Sequence, residues 1–241
     1  RCGYVLDPPG CLKDPNTRKL SGIGVEVIQL VGRNLGLKVE WTAEVDWGSM
    51  IAGLESGRYD IIATPIWPNA SRARVTDFTR PLYFSPVFAY VKSGSKLMQL
   101  KNLAELNATN YTIASIDGAT PEVIAREDFP KAKLLSLPQQ CEISQLVLTV
   151  SSGKADATFV EPAVVAAYSK SNPGVMARLP GDEPVRVFPD CWAIKRGQME
   201  FKSMINNSLD QLINGGAINK IICKYEPAPG TLLRVSLPYQ R

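Results

Sequence analysis

The chain has 241 residues, 45% of them hydrophobic and 21% charged, a net charge of +4 and no histidine. Without histidine, Ser-His-Asp and Cys-His hydrolysis, HExxH zinc chemistry and histidine-ligated haem are excluded. The mild, scattered basic excess argues against nucleic acid, and no apolar run approaches the roughly 18 residues of a membrane span. No charged and apolar leader opens the sequence, so a mature or trimmed chain is expected.

In chain order, Arg1 to Val5 is a short strand candidate, ended by the Asp7-Pro8-Pro9-Gly10 turn signal. Val25, Ile28, Val31 and Leu35 recur at helical spacing and Gly36 follows as a stop, which predicts an amphipathic helix. Leu37, Val39 and Trp41 alternate at strand period. Trp47, Ile51 and Leu54 predict a short helix, and Asp60 to Thr64 a compact strand broken at Pro65. Leu82 to Lys92 is a further strand, after which the alternation restarts. Strands are expected at Tyr111–Ile116, Lys133–Leu137, Ala155–Val160 and Val185–Lys195. Helices are expected from Pro121, on the Ile143/Leu146/Val147/Val150 face, after Pro162, and on the Phe201/Ile205/Leu209/Leu212 face, with a short one carrying Ile218, Ile221 and Ile222. This alternation predicts an α/β fold with mainly parallel sheets, in two tandem units. A ligand cleft between two such lobes is the default functional place.

The five cysteines, at 2, 11, 141, 191 and 223, contain no CxxC, which removes support for zinc ribbons and thioredoxin-type sites. Cys2 and Cys11 flank the Pro-Pro turn and are the favoured pair if the compartment is oxidising; in a reducing one all five are small buried hydrophobes. Cys141, Cys191 and Cys223 have no assigned partners. Asn-x-Ser/Thr sequons begin at Asn69, Asn107, Asn110 and Asn206 and carry little weight without a known host.

Six segments in order resemble the extracytoplasmic solute-binding proteins of the polar amino acid type. They are "KLSGIGVEVIQLVGRNLGLKVEW", "WGSMIAGLESGRYDIIA", "SRARVTDFTRPLYF", "YTIASIDGAT", "GKADATFVEPAVVAAY" and "INGGAINKIICKYEP". The resemblance implies the type II periplasmic-binding fold. Lobe one is then residues 1–92 plus 190–241 and lobe two 93–189, with two hinge crossings. It also implies capture of an amino acid or amino-acid-like ligand by closure of the cleft, and delivery to the membrane permease of an ABC transporter. The expected chain is a periplasmic or otherwise extracytoplasmic monomer with no cofactor and no metal, and not an enzyme. That address favours a Cys2–Cys11 disulfide.

By the same resemblance Arg72 binds the ligand carboxylate, for which a guanidinium offers a planar, permanently charged fork. Arg74 and Arg80 would rank equally with it on residue type alone. Thr120, with Pro121 behind it, reads locally as a helix N-cap; the resemblance places Thr120 and the Ala119 amide on the carboxylate. Glu161 stands where the family usually has an aspartate for the ligand's amino group, one methylene longer. Trp47 matches an aromatic position against the ligand side chain, or else is a core anchor on its helix face. Trp67 replaces a small hydroxyl residue and offers bulk and a ring face for an amine, while Thr64 keeps a hydroxyl beside it. Asp7 stands where many relatives carry an aromatic ring and would meet a cationic ligand tail, or else cap the Pro-Pro turn. The competing functions are a prephenate- or arogenate-dehydratase-like enzyme on this fold, with Glu161 as general acid, and the sensing domain of a receptor.

Overall fold

The structure is a computed structural model and describes residues 1–181 and 183–236. The chain divides into two compact units: Arg1–Ser85 together with the segment from Phe188 onward, and Pro86–Val187. Each unit is an α/β sandwich, as the alternating pattern predicts.

The first unit opens with β1 (Cys2–Tyr4), a small hairpin of β2 (Leu12–Lys13) and β3 (Leu20–Ser21), and helix α1 (Ile23–Leu35). Gly36 ends α1 at φ 67°, a left-handed position that a β-carbon disfavours. There follow β4 (Trp41–Glu44), α2 (Met50–Glu55), β5 (Ile61–Ile66), α3 (Ala70–Ala73), β6 (Thr76–Phe78) and the start of β7 (Tyr83–Lys92). β4, β1 and β5 lie side by side and parallel. Alternate residues of β5 serve opposite faces. Ile61 and Ala63 pack with α1 and the two C-terminal helices, while Ile62 and Ile66 pack with Met50 and Leu54 of α2. α1 approaches β5 so closely that a β-carbon at Gly24 would stand 2.3 Å from the Ala63 carbonyl oxygen. β5 runs through Pro65 rather than stopping there: its pairing with β1 has ended by Ile62, and its ladder with β12 is irregular between the Ile62–Ala193 and Ile66–Cys191 pairs, where a missing N–H is tolerated.

The second unit contains β8 (Thr112–Ile116), α4 (Thr120–Asp128), β9 (Lys133–Leu137), α5 (Ser144–Ser151), β10 (Ala157–Val160), α6 (Pro162–Ser169) and β11 (Met176–Arg178). β9, β8 and β10 are neighbouring parallel strands, and β7 pairs antiparallel with β10. One face of this sheet packs Ala114 and Ile116 against Leu146, Val147, Val150 and Val165 of α5 and α6. Phe129, directly after α4, stacks on Phe159 of β10 at 5.0 Å. β12 (Arg186–Lys195) then carries the chain into the first unit, where α7 (Met199–Asn214) and α8 (Ala217–Tyr225) complete the core around the fully buried Trp192.

The expected Cys2–Cys11 disulfide is absent, and all five cysteines are free thiols. The Pro-Pro turn is closed by Asp7 rather than by Cys2: Asp7 and Cys11 exchange two backbone hydrogen bonds of 2.9 Å. Cys2 is in the ladder opposite Trp41 and Ile61 and packs in the α1/α7 core, whereas Cys11 packs with Tyr4 and Val25. Both behave as the small hydrophobes of the alternative reading, and burial pushes each thiol up to about 11.

Candidate functional site

In an α/β sheet, loops beyond the carboxyl ends of parallel strands are where ligand-binding side chains collect, because each strand hands over there to a loop or a helix N-terminus. Each unit places its candidate residues at such an edge. In the first, Asp7 follows β1, Trp47 follows β4 and Trp67 follows β5, and Arg72 is on the short α3 just beyond. In the second, Ala119 and Thr120 follow β8 and Glu161 follows its parallel neighbour β10.

Arg72 is the most distinctive group. Its backbone N–H donates to Asn69 Oδ1 at 2.9 Å, so Asn69 caps α3 and sets the direction in which the arginine leaves the backbone. The guanidinium Nη1 donates to the Trp67 carbonyl oxygen at 2.9 Å, and its Cζ lies 6.0 Å from the centre of the Trp47 ring. Among the described residues no carboxylate is within ion-pair reach of Arg72; burial without a compensating anion pushes its pKa down. Arg80, by contrast, is neutralised by Asp210 at 2.8 Å, and Arg74 is exposed at the surface. The geometry thus separates three arginines that residue type alone does not.

Trp47 is not part of a helix face. Asp46 Oδ1 accepts from the N–H groups of Gly48 and Ser49, so the chain turns before α2 begins, leaving Trp47 44% exposed. That exposure excludes a core-anchor role. Trp67 is half-buried and stacks on Phe188 with centroids 4.3 Å apart and planes at 15°. One face of its ring is therefore covered by protein, which reduces the surface it offers an amine. Thr64 is fully buried, and its hydroxyl donates to the Val5 carbonyl at 2.7 Å and accepts from the Val5 N–H at 2.9 Å. Its oxygen ties β5 to the end of β1. Asp7 is half exposed in its turn, where its backbone pairs with Cys11.

In the second unit α4 begins one residue earlier than the Thr-Pro pattern suggests: Ala119 is the N-cap and Thr120 the first helical residue. The end is buttressed from inside, since the buried Glu122 accepts from the Gly118 N–H at 2.6 Å and from Arg126 Nε at 2.8 Å. The Gly118 N–H and the Arg126 guanidinium hold the Glu122 carboxyl below its ordinary value. Glu161 is the N-cap of α6 with an extended backbone; its carboxylate does not cap the helix. These two helix starts are at the same edge of one sheet, where N–H groups and helix dipoles favour anionic groups.

Two contributors are not visible to sequence reasoning. Phe188 reaches Trp67 from 121 positions away and carries no local signal. Asn69 is legible as a helix cap three residues before Arg72, but within a sequon it reads as a modification signal.

The profile of the bacterial extracellular solute-binding proteins, family 3, matches residues 1–228. The chain belongs to this family. It is 28% identical over 203 residues to a probable amino-acid ABC transporter-binding protein of Haemophilus influenzae, covering 84% of this chain and 75% of the relative. It is 26% identical over 226 residues to the L-cystine-binding protein TcyA of Bacillus subtilis, covering 90% and 76%. Among solved structures, an ancestral amino acid-binding protein described as a precursor of cyclohexadienyl dehydratase is 27% identical with a TM-score of 0.71, and 93% of each chain is covered. A putative ABC-transporter binding component from Wolinella succinogenes, complexed with lysine, has a TM-score of 0.77 at 23% identity, covering 93% and 94%, and supports the fold. The fold is thus that of the type II periplasmic-binding proteins, and the protein is a solute-binding protein of the ABC-transporter kind rather than an enzyme. No helix among the described residues is long and apolar enough to cross a membrane.

Proposed function

We propose that this protein captures a free α-amino acid, or a close relative bearing both carboxylate and amine, outside the cytoplasm and delivers it to the membrane permease of an ABC transporter. The observation that carries this is Arg72: a half-buried cation fixed by a backbone carbonyl and a tryptophan ring, with no acid to neutralise it among the described residues. A carboxylate would supply the missing charge and two of the hydrogen bonds a guanidinium fork can make. Thr120 and the Ala119 amide at the start of α4 are assigned to the same carboxylate, and Glu161 to the ammonium. Trp47 and the open side of Trp67 are assigned to the ligand side chain, and Asp7 to a cationic tail. Thr64 supports the strands rather than the ligand.

The test is calorimetry and thermal shift against the twenty common L-amino acids and small amines lacking a carboxylate. The expected result is saturable binding of at least one amino acid and none of the amines. Ligand at about 100 times its dissociation constant should add roughly 2.7 kcal/mol to stability. A silent amino-acid panel would remove this ligand class.

A further inference from the structure

We propose that Phe188 is a positioning residue for Arg72, acting through Trp67. This rests on Arg72 being the ligand's carboxylate partner, although its test does not. The chain of contacts is short. The Phe188 ring stacks on the Trp67 ring at 4.3 Å, and the Trp67 carbonyl accepts the Arg72 Nη1 hydrogen bond at 2.9 Å. No acid helps to hold the guanidinium, so this carbonyl is its sole hydrogen-bond anchor among the described residues.

The anchor needs an outside support. Trp67 is the first residue beyond β5, followed by Pro68 and the four-residue α3, a segment with little packing of its own, since α3 has no buried residue. Phe188 comes from a much firmer element. Further along β12, Trp192 and Ile194 are fully buried, and the buried Asp190 accepts from Ser85 Oγ at 2.6 Å. The antiparallel pairing of Cys191 with Ile66 brings the end of this strand beside the Trp67 segment. A ring on a fixed strand thereby clamps a loop tryptophan, and the loop's carbonyl aims the arginine. A stacked aromatic pair contributes stabilisation beyond its buried area.

The experiment uses the ligand-free protein. Phenylglyoxal labels free guanidinium groups, and peptide mapping by mass spectrometry gives a rate for each arginine. In the wild type Arg72 should label slowly relative to the exposed Arg74. In Phe188→Ala and the milder Phe188→Leu, Arg72 should label about tenfold faster, the scale on which losing one stacked pair shifts a local equilibrium. Phe188→Tyr should restore the slow rate. Arg234, bound by Glu226 at 2.7 Å, reports that the fold is intact and should not change in any variant. If Arg72 labelling is unchanged in both Ala and Leu variants while Arg234 stays slow, Phe188 does not position it. If Arg234 and Arg72 accelerate together even in the Leu variant, Phe188 supports the fold generally and the assignment also fails. Neither outcome bears on whether a ligand carboxylate binds Arg72, which the amino-acid panel decides separately.

Discussion

Replacing Arg72 by alanine should separate binding from stability. In the free protein the side chain gains one hydrogen bond to a carbonyl, worth about 1 kcal/mol, and a contact with the Trp47 ring worth about 0.5–1 kcal/mol. Against these stands the cost of partly dehydrating a cation with no anion beside it, which is what pushes its pKa down. A base whose folded pKa is lowered is destabilising wherever it is charged, and a guanidinium remains charged throughout the usual working range. The penalty is therefore independent of pH there. The opposing terms are of similar size, so the free protein should change by no more than about 1 kcal/mol, a few degrees in Tm for a chain of this length. Binding should respond far more. Removing one partner of a largely desolvated carboxylate–guanidinium pair costs about 2–5 kcal/mol, or roughly thirty- to several-thousand-fold in Kd. Arg72→Lys keeps the charge without the fork and should fall in between. Calorimetry with the best ligand of the amino-acid panel, alongside denaturant unfolding of the free proteins, measures both quantities. Affinity within threefold of wild type in Arg72→Ala would refute the carboxylate assignment, and a loss of several kcal/mol in the free protein would mark Arg72 as structural.

Glu122→Gln should destabilise the second unit by about 1–2 kcal/mol near neutral pH by removing a charged acceptor from the Gly118 N–H and Arg126. Because the folded pKa is depressed, this stability is present above the ordinary glutamate range and lost as pH falls through the folded value; the variant should show a flatter acid limb in a Tm–pH profile. Thiol titration in denaturant without reductant should find five reactive groups, and dithiothreitol should leave Tm unchanged; a count of three would restore one disulfide. Gly24→Ala should be destabilising by about 1–3 kcal/mol despite alanine's better helix propensity, since its β-carbon would meet the Ala63 carbonyl at 2.3 Å. Unaltered or increased stability by chemical unfolding would show that α1 can shift away from β5 at little cost.

Much of the architecture is legible along the chain because hydrophobic period and helix stops are local. The α1 pattern ends at Gly36 as expected, β9 spans Lys133–Leu137 as the alternation suggests, and α6 starts at Pro162. Errors cluster where a side chain overrides propensity. Asp46 turns the chain and removes Trp47 from the predicted helix, and Glu122 buttresses a helix whose cap is Ala119 rather than Thr120. The disulfide expectation fails for a related reason: proximity in sequence placed Cys2 near the turn, but ladder register carries it into a different core from Cys11.

The absence of histidine and the strand–helix alternation by themselves determined that this is an α/β protein without histidine-dependent catalysis, because composition and periodicity need no long-range information. The same sequence also contained the six segments that resemble its family. Only the tertiary structure decided that Arg72 is partly buried with no acid beside it among the described residues, that Thr64's hydroxyl is used within the fold, and that Trp67 is covered by Phe188. Those properties depend on what is not nearby and on what arrives from distant strands. Pairing, burial and charge compensation are relations in space, and sequence spacing does not encode them.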